Sequence, residues 1–309
     1  MNTIFTKSAA IIVCLSLIFS FYSCSGDIEE SFDNNVLNTK TAVATDNSAV
    51  EMLNVAYGEH PQQVMDIYLL ENRTLETPLV VLIHGGAWVA GDKADAGFMK
   101  DACYNNGMNV VNINYRLADS TINYTHIMED ISSAMAMILN HAAEYNVRTS
   151  KIVFWGGSAG GHLALLYAYN YDAQNAVSLI MTLGAPTALD DKITISLIPG
   201  LDKKIEAIGL LGVIVGKPYD ILYPLDPAYI DASPLHGRNL KPTLLIHGMS
   251  DSIVPLRQAW LMRDKLEQKN INYRLFEIPG GAHDGSGGWP GYAEEAQRIM
   301  YEWVINYSN

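Results

Sequence analysis

Apolar positions along the chain fall into two periods. Leu79-Val80-Val81-Leu82-Ile83 is an unbroken aliphatic run that leads into His84-Gly85-Gly86. A run without polar alternation suits a strand covered on both faces of a sheet. An early strand is expected over 63–70, where Val64, Ile67 and Leu69 supply the apolar positions, and further strands over 108–115, 151–155, 177–183, 243–247 and 273–278. Between strands the period lengthens. Ile127, Ile131, Met135, Ile138 and Ala142 recur every three or four residues, the stripe of an amphipathic helix over 126–146. Helices are also expected over 163–169, 256–268 and 292–306. Strands separated by helical stretches imply βαβ units, so the expected class is α/β: a mostly parallel sheet with helices on both faces. Residues 187–238 break the alternation. They are apolar but irregular and carry Pro199, Pro218, Pro224, Pro227 and Pro234. A structureless loop of that length is uncommon in a compact domain, so this stretch reads as a small cap inserted over the sheet edge.

The first residues follow another logic. Lys7 precedes an apolar run over 9–21, which is short for a bilayer span but suits the core of a signal peptide, expected here over 1–23. Tyr22-Ser23-Cys24 follows, and a Cys in that place resembles a bacterial lipoprotein processing site. The resemblance implies that Cys24 is lipidated, becomes the mature N-terminus and holds an exported protein in the cell envelope, on the periplasmic or surface face of the outer membrane. Residues 24–50 are polar and aperiodic and read as a lipidated tether; 51–309 is the expected folded domain.

Hydrophobic residues make up 49% of the chain and charged residues 17%, a globular balance that excludes a wholly disordered or collagen-like protein. Lys and Arg total 20 against 33 Asp and Glu, for a net charge of −13, which argues against a nucleic-acid partner. Cys14, Cys24 and Cys103 form no CxxC and no Cys/His cluster with zinc spacing, so neither a disulfide framework nor a metal site is expected. Cys103 reads as a small buried apolar residue.

Three loops carry candidate chemistry. Gly156-Gly157-Ser158-Ala159-Gly160 fits G-x-S-x-G between an expected strand and an expected helix, the context in which that motif presents a nucleophile. A serine hydroxyl needs a base to take its proton. His283, in the Gly-rich loop after the last strand, is the candidate; His60, His126, His141, His162 and His236 read as ordinary surface or core residues, and His84 and His247 as structural. An imidazole base needs a carboxylate to fix its tautomer. Asp251 follows the strand at 243–247 and completes the order Ser, Asp, His; Asp284, Asp226 and Asp231 are the weaker candidates. Backbone N–H groups of Gly86 and Ala87, with that of Ala159, are placed to meet an oxyanion.

Together HGGAW, GGSAGGHLA, HGMSDSIVP and GGAHDG resemble the α/β-hydrolases of the carboxylesterase and hormone-sensitive-lipase-like kind, over roughly 55–309. The HGG-x-W form is similar to small esterases of the feruloyl-esterase-like and kynurenine-formamidase-like groups. The resemblance implies an α/β-hydrolase fold and a cofactor-free serine esterase acting on a small acyl ester, with acetyl or feruloyl groups on carbohydrate as the expected substrate. Arylformamidase or peptidase chemistry on the same triad, and a catalytically silent binding lipoprotein, are the competing readings. Ala87 stands where lipase-type members have a third Gly, and Gly157 where many relatives have Asp, Glu or His. Trp88 and Trp289 are candidates to line the acyl or sugar site, against core packing for the first and loop anchoring for the second.

Overall fold

The computed structural model describes residues 47–308. The expected signal peptide, Cys24 and most of the tether lie outside the described residues. Eight strands form one sheet: β1 (Val50–Ala56), β2 (Val64–Leu69), β3 (Leu79–Ile83), β4 (Asn109–Ile113), β5 (Ile152–Gly157), β6 (Val177–Leu183), β7 (Thr243–Gly248) and β8 (Tyr273–Ile278). Their order is β1-β2-β4-β3-β5-β6-β7-β8. β1 pairs antiparallel with β2 and β2 with β4, and every other pairing is parallel. The helices are α1 (Gly97–Tyr104), α2 (Tyr124–Asn140), α3 (Ala142–Tyr145), α4 (Ala159–Asn170), α5 (Lys192–Leu197), α6 (Leu201–Val215), α7 (Ala228–Asp231), α8 (Arg257–Gln268) and α9 (Tyr292–Ser308).

The unbroken run of β3 has a direct cause. Leu79, Val81 and Ile83 face one core, with Ile127 and Ile131 of α2, Leu163 of α4 and Met262 of α8. Val80 and Leu82 face the opposite core, with Met99 of α1 and Ile299 and Val304 of α9. A strand with helices on both sides has no water-facing positions, so its sequence cannot alternate. Full burial of each such side chain contributes about 1.5–3 kcal/mol. Cys103 of α1 belongs to the second core, where burial pushes its thiol up to about 12.

β1 is absent from the apolar pattern because it is an edge strand, half exposed along its length. Its register shifts between Met52 and Val55, around Asn54 at φ +54°, whose N–H donates to Asp66 Oδ1 at 2.7 Å. Residues before position 51 also join the domain: Val50 pairs with Leu69, and Asn47 Nδ2 donates to Arg73 O at 2.7 Å.

The insertion at 187–238 holds α5, α6 and α7, which the irregular pattern and its prolines conceal. It leaves and returns at one point, since Leu235 N–H donates to Thr187 O at 2.8 Å. α8 fastens its base. Arg257 grips Asp191 through Nε at 2.7 Å and Nη2 at 3.2 Å. Buried Gln258 accepts the N–H groups of Thr187 and Ala188 at 2.6 and 2.7 Å and donates to Thr194 Oγ1 at 2.7 Å. Parallel pairing of β3, β5, β7 and β8 brings the loops that follow them to one edge of the sheet, beneath this insertion.

Candidate active site

Ser158 occupies the turn between β5 and α4, at φ +52° and ψ −125°. That conformation is costly for a non-glycine residue, on the order of 1–3 kcal/mol, and is held only by the contacts around it. Gly156 and Gly160 make the turn sterically feasible. A Cβ on Gly160 would lie 2.0 Å from Ile83 O, and one on Gly156 2.4 Å from Gly160 C. Ser158 makes no side-chain bond to the helix it precedes, so its hydroxyl is free for other partners.

That partner is His283. The Ser158 hydroxyl donates to His283 Nε2 at 2.8 Å, and His283 Nδ1–H donates to Asp251 Oδ2 at 2.7 Å. A carboxylate only accepts, so Nδ1 carries the proton and Nε2 offers its lone pair to the serine. The Asp251 side chain is fully buried. Its Oδ1 accepts the N–H groups of Ile253 and Val254, each at 2.9 Å. Burial raises its pKa, but hydrogen bonds from His247 and His283 outweigh burial and hold the carboxyl well below the usual carboxylate range. His247 thus does more than end a strand: Nε2–H donates to Val254 O at 2.8 Å and lies 3.3 Å from Asp251 Oδ2. The rival carboxylates are occupied elsewhere. Asp284 accepts Ser286 N–H at 2.9 Å within its own loop, Asp226 accepts Ala228 N–H at 2.9 Å at the start of α7, and Asp231 is the last residue of that helix.

The loop after β3 packs against the serine: a Cβ on Gly85 would stand 3.4 Å from Ser158 Cβ. Ala87, Ser158 and Ala159 line one cleft, with Gly86 just before them in the chain. Ala159 opens α4, so its N–H has no acceptor within the helix. Ala87 and Trp88 are consecutive left-handed residues, at φ +53° and +66°. Their strain is resisted at several points. Val89 and Ala90 N–H donate to Gly86 O at 3.2 and 3.0 Å, and Ala118 N–H donates to Trp88 O at 2.8 Å. The Trp88 indole N–H donates to His162 Nδ1 at 3.1 Å, and His162 Nε2–H donates to Ala232 O at 2.8 Å. His162, read from sequence as ordinary, therefore ties the HGGAW loop, α4 and the end of the insertion together. His84 stacks on Tyr115 at 4.3 Å and donates from Nδ1 to Gly85 O at 2.7 Å, a structural role.

Trp88→Phe leaves the buried His162 Nδ1 without a donor, so stability falls by about 1–3 kcal/mol in a urea titration. Unchanged stability would mean that the bond contributes nothing. Burial also lowers the His162 pKa from 6.5 to about 4. The unfolded chain therefore binds a proton that the folded chain refuses between those values. Stability falls as pH drops from 6.5 toward 4 and levels off below, with a total on the order of 3 kcal/mol from this group. His162→Gln is expected to flatten that limb of the stability–pH curve relative to wild type.

The cleft above Ser158 has a volume of about 110 Å³ and an almost wholly apolar wall, with Leu189, Ile195, Ile198 and Leu210 contributed by the insertion. Trp88 joins its lining while being 5% exposed, so core packing and site lining coincide in one side chain. Trp289 is 38% exposed and is not part of this wall.

Residues 65–207 match the BD-FAE family, and residues 224–309 match the Prolyl oligopeptidase family. Esterase LipC of Mycobacterium tuberculosis is 27% identical over 258 residues, which are 74% of this chain and 58% of that protein. The chain spans about half the length of the curated relatives that it matches along most of its own length. Among solved structures, a truncated carbohydrate esterase from gut microbiota superposes with a TM-score of 0.69 at 20% identity, covering 86% of this chain and 98% of that one. A bifunctional GH43-CE protein of Bacteroides eggerthii gives a TM-score of 0.64 at 23% identity, covering 83% of this chain and 38% of that one. The fold is the α/β-hydrolase fold.

Proposed function

We propose that this protein is a serine carboxylesterase that works through an acyl-enzyme. The observation that carries the reading is the chain of hydrogen bonds from Ser158, which lines the cleft, through His283 to buried Asp251. Ser158 Oγ attacks the acyl carbon while His283 Nε2 takes its proton. The carbonyl π electrons move onto oxygen, which the N–H groups of Ala87 and Ala159, with that of Gly86 behind them, stabilise. Collapse of this intermediate breaks the bond to the alcohol oxygen, and His283 returns the proton to that oxygen. Water then attacks the acyl-serine by the same route, releasing the acid and restoring the Ser158 hydroxyl. Asp251, ionised through neutral pH, holds the imidazole in its Nδ1–H tautomer and stabilises the imidazolium.

The esterase names of LipC and of a superposing structure support ester chemistry. That structure is a carbohydrate esterase by name, which supports an acylated carbohydrate as the alcohol partner. Lipidation of Cys24 and residence in the cell envelope belong to the same proposal and rest on the Tyr22-Ser23-Cys24 pattern. Palmitate labelling of the expressed full chain, lost in Cys24→Ser, tests that part. A fluorophosphonate probe tests the chemistry: it is expected to label wild type at Ser158, with the adduct located by peptide mapping. No labelling at Ser158 would favour a silent binding protein.

A further inference from the structure

We infer that the cleft under the insertion binds the acyl half of the ester, and that this half is an aliphatic chain longer than acetyl. The inference rests on the esterase reading above and names which part of the substrate goes where. During acylation the leaving oxygen must take the proton from His283 Nε2, so the alcohol has to lie on the His283 side of Ser158. The cleft is lined by Ser158 and by both Ala87 and Ala159, but His283 is not part of its wall. A substrate whose carbonyl oxygen meets those N–H groups, and whose leaving oxygen meets His283, directs its remaining substituent, the acyl chain, into the cleft.

The wall decides the chemistry of that chain. Ile195 and Ile198 follow from α5 and its end, and Ala207, Leu210 and Leu211 from α6. The polar side chains among them are already engaged within the protein. Asp191 is held by Arg257 and Thr194, while Gln258 bonds Thr187, Ala188 and Thr194. A phenolic hydroxyl or methoxy group entering this space would give up water for no free partner, whereas methylenes lose nothing. An acetyl group would leave most of the apolar wall uncovered. Each further methylene buried there is expected to raise kcat/KM about fourfold, the factor equivalent to the transfer free energy of one methylene.

The test uses the whole folded enzyme and one leaving group throughout. Nitrophenyl acetate, butyrate, hexanoate and ferulate are compared by kcat/KM, with active enzyme counted by fluorophosphonate titration. The expected order is hexanoate above butyrate above acetate, with ferulate below hexanoate. Ala207→Phe, which fills the cleft from α6, is expected to lower the hexanoate-to-acetate ratio at least tenfold. Acetate or ferulate as the best substrate of wild type would overturn the inference, whether or not the variant folds. A hexanoate-to-acetate ratio unmoved in a folded Ala207→Phe would overturn it too. In either case a labelled and active Ser158 leaves the esterase reading standing. No turnover of any ester together with no labelling would instead remove the esterase reading itself.

Discussion

Ser158→Ala is expected to lower kcat on a nitrophenyl ester by about a million-fold, the scale seen when the serine of a comparable triad is removed. The loss is covalent in origin. Without Oγ no acyl-enzyme forms, and what remains is binding and oxyanion stabilisation of an attack by water. Folding should survive, because the lost hydroxyl bonds only His283, whose side chain stays partly exposed. Backbone strain provides a second readout on the same residue. Position 158 sits at φ +52°, so Ser and Ala both bear a left-handed penalty there that Gly does not. Ser158→Gly should be as inactive as Ser158→Ala yet more stable by about 1 kcal/mol, the strain relieved less the chain entropy that glycine adds. Chemical denaturation and ester turnover on the two variants separate the chemical role from the conformational one. Appreciable turnover by Ser158→Ala would refute the nucleophile assignment.

What the sequence discloses and what it hides divide along physical lines. β3, β5 and β7 are legible because helices cover both their faces, so nothing polar interrupts them. Ser158 is legible because the turn that raises it tolerates only Gly at 156 and 160, which leaves a motif. β1 is hidden because an edge strand with a bulge at Asn54 has neither a covered face nor a steady period. α6 is hidden because it lies on the cleft: its apolar residues are divided between the core, the cleft and solvent, where Leu201 is 72% exposed, so no single stripe forms. His162 and His247 escape for another reason. Each acts through partners distant in the chain or presented by a folded loop, Trp88 and Ala232 for the first, Val254 and Asp251 for the second. Sequence spacing carries no trace of such a bond. Chain order already favours Asp251 over Asp284, and the hydrogen bonds give the two their separate roles.

That distinction leads to the second large effect. Asp251→Asn is expected to cut kcat by about ten-thousand-fold, whereas Asp284→Asn should cost no more than about threefold. The asymmetry follows from donors and acceptors. Ile253 and Val254 both point N–H groups at Asp251 Oδ1, so an asparagine must keep its oxygen there. Its NH₂ group then faces His283 Nδ1, from which the carboxylate accepted, and lies close to His247 Nε2–H, which donates to Val254 O. An NH₂ opposite Nδ1 needs a lone pair on that nitrogen, which moves the imidazole proton to Nε2 and removes the acceptor for the Ser158 hydroxyl. Turning the amide over restores the tautomer but sets NH₂ against two backbone N–H groups in a buried pocket, so neither orientation rescues the base. At position 284 an asparagine oxygen still accepts Ser286 N–H, and no proton-transfer partner is disturbed. The buried carboxylate also leaves a mark on stability. Its pKa is depressed on folding, so its contribution is present above the unfolded value of 3.8 and is lost as pH falls through and below it, a limb that Asp251→Asn should lack. Both variants on one nitrophenyl ester, with acid denaturation followed alongside, decide the matter. A crippled Asp284→Asn beside a nearly normal Asp251→Asn would transfer the carboxylate role to the loop of His283, while leaving Ser158 and His283 in place.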